Sequence, residues 1–258
     1  MAQLKTTLCL TWLGLTLAAL ALTGPAAAKE TYPPPGFVDA STVVPGLVVE
    51  MRYAGAHNFL GRPVKGYQAP RCLLTWPAAR ALAQAQAELK PMGLGLKVYD
   101  CYRPQRAVDH FVAWAKDMDD KLTQAEFYPT VPKAELFKRG YIAARSSHSR
   151  GSTVDLTIVP LPAPPQEQYE PGQRLVACTQ PADKRFGDNS LDMGTGFDCF
   201  SPRAHTASPK AGPSQRAKRL LLVSLMAKYG FVNYDLEWWH YTLADEPFPD
   251  TYFDFPIR

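Results

Sequence analysis

The chain has 258 residues, a formal charge of +4 and 46% hydrophobic residues. So mild and dispersed a positive balance excludes a dedicated nucleic-acid binder, and the length fits one domain with a sizeable core. The first residues carry one cation, Lys5, then an apolar run from Leu8 to Leu22 and the small residues Ala26, Ala27 and Ala28. That pattern predicts a secretory signal peptide over 1–28, cleaved near Ala28, and a secreted, periplasmic protein over 29–258. The run is too short to span a bilayer comfortably, and no other stretch approaches the roughly 20 apolar residues a spanning helix needs, so no stable membrane insertion is expected. Cys9 sits at the start of the run, where lipidation does not occur.

Thr75-Trp76-Pro77 opens a segment rich in Ala, Leu, Gln and Glu that predicts a helix to Leu89, with a hydroxyl at its N-cap and proline in its first turn. Residues 95–102, GLKVYDCY, have strand composition, and Pro104 starts a second helix with Ala107, Phe111, Trp114 and Ala115 on one stripe. Arg103 falls at that junction. In TVDLTIV, Val154, Leu156 and Ile158 alternate with Thr153, Asp155 and Thr157, so Asp155 leaves the core face of a strand. The proline-rich PLPAPPQEQYEPG that follows reads as a surface excursion over about 160–200, stapled by cysteines. A third helix is expected from about Ser214 to Tyr229, stopped by Gly230, and FVNYDLEWWHYTL after it reads as one strand. The ending, DEPFPDTYFDFPIR, has the look of an aromatic tail packed on the body. Helices and strands without strict alternation predict an α+β fold: one domain, a central mainly antiparallel sheet flanked by helices.

Cys72, Cys101, Cys178 and Cys199 remain after export, an even number in an oxidising compartment, which predicts two disulfides. Three pairings are open; Cys72 with Cys101 and Cys178 with Cys199 close the short loops.

His148 and Asp155, seven positions apart, can meet where a turn leads into a strand. Alone, the pair is equally an ordinary hydrogen-bonded His and Asp. Glu237 and His240 lie in E-x-x-H, and two histidines with one carboxylate make a catalytic zinc set that leaves a fourth position for water. Their separation of three puts Glu237 and His240 on opposite sides of a regular strand, so a bulge or turn at Trp238-Trp239 is required for both to serve one site. His57, His110 and His205 read as structural or solvated.

Taken together, SSHSRGSTVDLT, EWWHY, DCYRPQRAV and DEPFPDTYFDFPIR resemble the zinc D-alanyl-D-alanine dipeptidases of the VanX type, over nearly the whole chain from about Val43 to Arg258. The resemblance implies one Zn2+ per chain, on the sheet, held by His148, Asp155 and His240, with Glu237 as general base and Arg103 facing the developing oxyanion. It implies Asp198 as the carboxylate that receives the substrate's ammonium and Tyr53 as its aromatic partner, while Ser146 and Tyr67 line the carboxylate end. The implied partner is a small dipeptide, D-Ala-D-Ala or a related D-amino-acid dipeptide, and oligomeric state is left open. The rivals are a cell-wall peptide DD-carboxypeptidase or L-Ala-D-Glu peptidase, which should lack a counterpart of Asp198, and a catalytically inactive metal-binding module of the hedgehog kind, against which Glu237 and Arg103 speak. The excursion after Asp155 and the signal peptide depart from the family's compact, often cytoplasmic pattern.

Overall fold

The computed structural model describes residues 1–2 and 32–258, so all but the first two residues of the expected signal peptide, Cys9 included, lie outside the described residues. Strand β1 (Phe37–Asp39) pairs with β3 (Leu73–Thr75) in a small antiparallel sheet. The main sheet has the order β2 (Val48–Val49), β4 (Leu94–Asp100), β5 (Thr153–Pro160), β7 (His240–Leu243), β6 (Phe231–Asn233). All of its pairings are antiparallel except β2 with β4. Four helices accompany it: α1 (Trp76–Leu89), α2 (Gln105–Lys116), the short α3 (Gln124–Phe127) and α4 (Pro213–Lys228). The mixed α+β class with a mainly antiparallel sheet is therefore as expected. Among the described residues, no helix is long and apolar enough to cross a membrane.

Helix α1 keeps proline in its first turn, where a missing N–H costs nothing. Thr75 stands at its N-cap, but the hydroxyl meets Ser152 Oγ at 2.7 Å instead of capping. Every residue of β5 from Thr153 to Val159 is buried, so its alternation separates an apolar face from a polar, site-bearing face and not from solvent. The ladder between β4 and β5 shifts register between Val98 and Asp100, a bulge that brings Asp100 opposite Asp155. On the other side Asp155 pairs with His240. Three polar residues thus line up across the sheet centre.

One expectation is corrected. Residues 231–243 are not a single strand but a hairpin, β6 and β7, joined by a turn over residues 234–239. Trp238 and Trp239 are adjacent and both buried, which no single pleated strand bordering solvent accommodates. Asn233 holds the turn shut, its Nδ2 donating to the carbonyls of Glu237 and His240, each at 3.0 Å.

The four cysteines are joined as Cys72–Cys101 and Cys178–Cys199. Phe37 is the hub of the aromatic tail, meeting Phe248, Phe253 and Phe255 at 6.1, 5.1 and 5.0 Å between ring centroids.

Candidate active site

A 3-10 turn, Ser147–Arg150, delivers His148 to the start of β5. Ser146 caps it, accepting from the His148 amide at 3.3 Å, and Gly151 ends it at φ 83°. A side chain at Gly151 would collide with the Phe37 ring as well as strain the backbone. From this turn His148 Nε2 lies 3.2 Å from Asp155 Oδ1 and 3.3 Å from His240 Nδ1, and His240 Nδ1 lies 3.1 Å from the same carboxylate oxygen. His148 Nδ1 is 2.7 Å from the Cys101 carbonyl, which can only accept. The proton therefore sits on Nδ1 and the Nε2 lone pair faces inward.

Whether these groups suit a metal is decided by chemistry and spacing. A tetrahedral ion with ligand bonds of about 2.0–2.1 Å separates its ligand atoms by about 3.3 Å, close to all three observed edges. The set of two imidazoles and one carboxylate is of the zinc kind, and one imidazole already has a carbonyl fixing its tautomer. The fit is good. Burial by itself would raise the Asp155 carboxyl, but the imidazoles of His148 and His240 outweigh it and hold it well below the usual carboxylate range.

The hairpin turn solves the spacing problem of E-x-x-H. The Glu237 amide donates to the Tyr234 carbonyl at 3.0 Å and its own carbonyl accepts from the His240 amide at 3.2 Å, folding the chain so that Glu237 Oε2 comes 3.6 Å from His240 Nδ1. Trp238 anchors the turn by donating from Nε1 to Thr195 Oγ1 at 2.9 Å. Burial, then the charges of Asp155 and Asp198, push the Glu237 carboxyl well above its ordinary range.

Arg103, between β4 and α2, donates from Nε to Asp100 Oδ2 at 2.9 Å and lies 3.5 Å from Asp155 Oδ2 and 3.4 Å from Ser146 Oγ. Burial disfavours its charge, but Asp100, together with Tyr53, Tyr67 and Asp155, more than restores it. Its guanidinium also stands 5.1 Å from the Tyr53 ring centroid and 5.0 Å from that of Phe111. Across the cleft, Tyr53 donates its hydroxyl to Asp198 Oδ2 at 2.7 Å. Burial, followed by the charge of Asp155, pushes the Asp198 carboxyl up to about 8. Asp198 is the one non-glycine at positive φ among the described residues, at 56°. Tyr53, Arg103, Ser146, Asp155, Asp198, Glu237 and His240 all border one cleft of about 230 Å³, with His148 behind it. Tyr67 does not border it: its hydroxyl is buried against Asp100 Oδ1 at 2.6 Å.

A profile described as D-ala-D-ala dipeptidase, of the M15 peptidases, matches residues 34–161 and 181–258. Relatives named D-alanyl-D-alanine dipeptidase match as well: one from Streptomyces coelicolor is 43% identical over 86% of this chain and 96% of its own length. Another from Enterococcus faecalis is 38% identical over 86% of this chain and 98% of the relative, and one from Escherichia coli is 33% identical over 80% and 83%. The chain belongs to the D-Ala-D-Ala dipeptidase family of M15 peptidases. The family match skips residues 162–180, the proline-rich first part of the excursion, and resumes at 181.

Four residues in this family member's site escaped the sequence reading. Asp100 orients both Arg103 and His148, whose Nδ1 it approaches at 3.5 Å; its place at a strand end three residues before Arg103 was the available signal. Ser147 Oγ stands 3.2 Å from His240 Nε2, the nitrogen turned away from the triad. Tyr234 and Tyr141 border the cleft from the hairpin turn and from the loop before Ser146, and nothing local marks them.

Proposed function

We propose that this protein is an exported zinc dipeptidase that hydrolyses D-Ala-D-Ala or a closely related D-amino-acid dipeptide. What carries the reading is that one cleft borders two kinds of carboxyl: Glu237 beside the two-histidine, one-carboxylate cluster, and Asp198 hydrogen-bonded to Tyr53. His148 Nε2, Asp155 Oδ1 and His240 Nδ1 would hold the ion. When bound, it supplies Lewis acidity, polarising a carbonyl and bringing the pKa of water to about 7.

Glu237 takes a proton from the attacking water at a carboxylate oxygen and hands it to the departing amine nitrogen. Arg103 donates N–H to the carbonyl oxygen as negative charge develops there; a donor so placed contributes about 3–4 kcal/mol. Asp100 keeps that guanidinium aimed, and Tyr67 keeps Asp100 aimed. Asp198 and the Tyr53 hydroxyl receive the α-ammonium one residue before the scissile bond, and Ser146 serves the carboxylate end. A longer peptide has no ammonium at that point and would leave Asp198 desolvated without its partner, so restriction to dipeptides follows from the same pair. The presence of Asp198 therefore favours a dipeptidase over a wall-peptide carboxypeptidase. Residues 29–258 form the exported enzyme, a reading supported by the composition of residues 1–28 and by two disulfides.

The test is turnover of D-Ala-D-Ala and of its N-acetylated form by the metal-loaded protein, with and without chelator. D-Ala-D-Ala is cleaved only without chelator and the acetylated form is inert. Equal rates on the two substrates would refute the ammonium assignment, and chelator-resistant turnover the metal assignment.

A further inference from the structure

Behind the Tyr53–Asp198 pair, two buried cations meet two part-exposed carboxylates where the excursion lies on the body. Asp188 Oδ2 accepts from Arg52 Nη2 at 3.0 Å and from the Tyr99 hydroxyl at 2.7 Å, while Lys97 Nζ is 3.2 Å from Oδ1. Glu50 pairs with both cations. The Lys97 and Arg52 side chains are 1% and 5% exposed, so the cluster is neutral only while both carboxylates are present. The same seam continues through His57. Its Nδ1 accepts from Arg52 Nη1 at 2.7 Å and its Nε2 donates to Glu126 at 2.8 Å. Its ring packs on Phe186 and Tyr169, with centroids 3.9 and 4.6 Å away. Tyr169 lies within the segment that the family match skips.

None of these groups borders the cleft; one end of the cluster adjoins a residue that does, and the other is one residue removed from one. Arg52 immediately precedes Tyr53 in one 3-10 turn, Arg52–Ala54. Tyr99 stacks on Phe197 at 4.5 Å, and Phe197 immediately precedes Asp198. The left-handed backbone of Asp198 is one that only surrounding structure maintains for a residue with a side chain.

We propose that Asp188 is a positioning residue for dipeptide recognition: by clamping Arg52 and Tyr99 together, it sets the spacing between Tyr53 and Asp198, so the excursion governs affinity without touching substrate. The proposal rests on Asp198 being the partner of the substrate's ammonium.

The experiment measures kcat and KM for D-Ala-D-Ala on the metal-loaded protein carrying Asp188→Asn, Tyr99→Phe, Asp198→Asn, or Asp188→Asn with Asp198→Asn. Asp188→Asn raises KM about tenfold with kcat within about twofold, and adds nothing in the Asp198→Asn background, because coupled neighbours share one effect. Tyr99→Phe keeps the ring stack and loses only the hydroxyl given to Asp188; it raises KM about threefold, the scale of one hydrogen bond, and answers the question should Asp188→Asn fold poorly. A rise in KM that multiplies in the Asp198→Asn background, or a loss confined to kcat, would make Asp188 merely structural and overturn the proposal. Unchanged KM in both Asp188→Asn and Tyr99→Phe, with Asp198→Asn raised, overturns positioning alone. Unchanged KM in Asp198→Asn overturns the ammonium reading itself.

Discussion

The two disulfides close loops of similar length but hold different parts of the site, so removing each in turn separates stability from function. Cys72–Cys101 spans 29 residues and Cys178–Cys199 spans 21. Loop-closure entropy assigns each about 3.5 kcal/mol. For a chain of this size that is a fall in Tm of about 7–14 °C for either pair replaced by alanine, measured by calorimetry. The functional consequences diverge. Cys199 follows Asp198, so Cys178→Ala with Cys199→Ala loosens the proposed ammonium partner and should raise KM for D-Ala-D-Ala more than it lowers kcat. Cys101 gives its carbonyl to His148 Nδ1 at 2.7 Å, so Cys72→Ala with Cys101→Ala disturbs the group that orients a proposed metal ligand. Metal affinity then drops by about tenfold, read by titration against a competing chelator, as for other groups that orient metal ligands. Equal losses of Tm with no divergence between KM and metal affinity would refute the assignment of the two bridges to two halves of the site. Losses below about 1 kcal/mol for both would refute the entropic reasoning.

Glu237→Gln retains metal by elemental analysis while kcat falls by about 10²–10⁴-fold, whereas His240→Ala loses metal and turnover together; full activity in either variant defeats the roles given to them. The Asp188 cluster also sets acid stability. Burial alone would raise the Asp188 carboxyl, but Arg52 and Lys97 outweigh it and hold it at about 2. A folded pKa below the unfolded value of about 3.9 contributes stability that is present above that value and is lost as pH falls through the folded pKa. The displacement corresponds to about 2.6 kcal/mol, of which about 2 kcal/mol is lost between pH 4 and pH 2. Urea unfolding at pH 4 and pH 2 should therefore show wild type losing about 2 kcal/mol more than Asp188→Asn, and equal losses would show that the carboxylate is not held by those cations.

What was legible in the sequence was what local pattern encodes. The two-residue alternation around Asp155 marked a strand and its facing, and a turn leading into it let His148 and Asp155 meet, but their joint role came from the family resemblance and not from local pattern. The E-x-x-H spacing fits no single strand, and its solution depends on Asn233 reaching back to two carbonyls and on two tryptophans finding buried places. Those are contacts between residues distant in sequence or packing, which periodicity does not contain. Asp100 was hidden for a related reason: only the register shift in β4 brings it opposite Asp155. Composition marked the excursion as a surface feature and loop length gave its staple, but the docking of Tyr169 and Phe186 on His57 joins segments more than a hundred residues apart and leaves no local trace.

Charge balance would tie the proposed metal to the proposed substrate. Asp100, Asp155, Asp198 and Glu237 are four carboxyls gathered around the guanidinium of Arg103, with Arg145 bordering the same cleft, so carboxyls outnumber guanidinium groups. Burial and mutual repulsion raise Asp100, Asp198 and Glu237 accordingly, and only Asp155, with its two imidazoles, is held down. On the proposed reading, a divalent ion and one α-ammonium would both favour the ionised carboxyls inside a desolvated cleft. On the proposed function the ammonium would be more than a specificity handle: its arrival beside Asp198 would offset negative charge that the ion leaves, while Glu237, which has neither the Tyr53 hydroxyl of Asp198 nor the Arg103 and Tyr67 partners of Asp100, would keep the basicity of its proposed role.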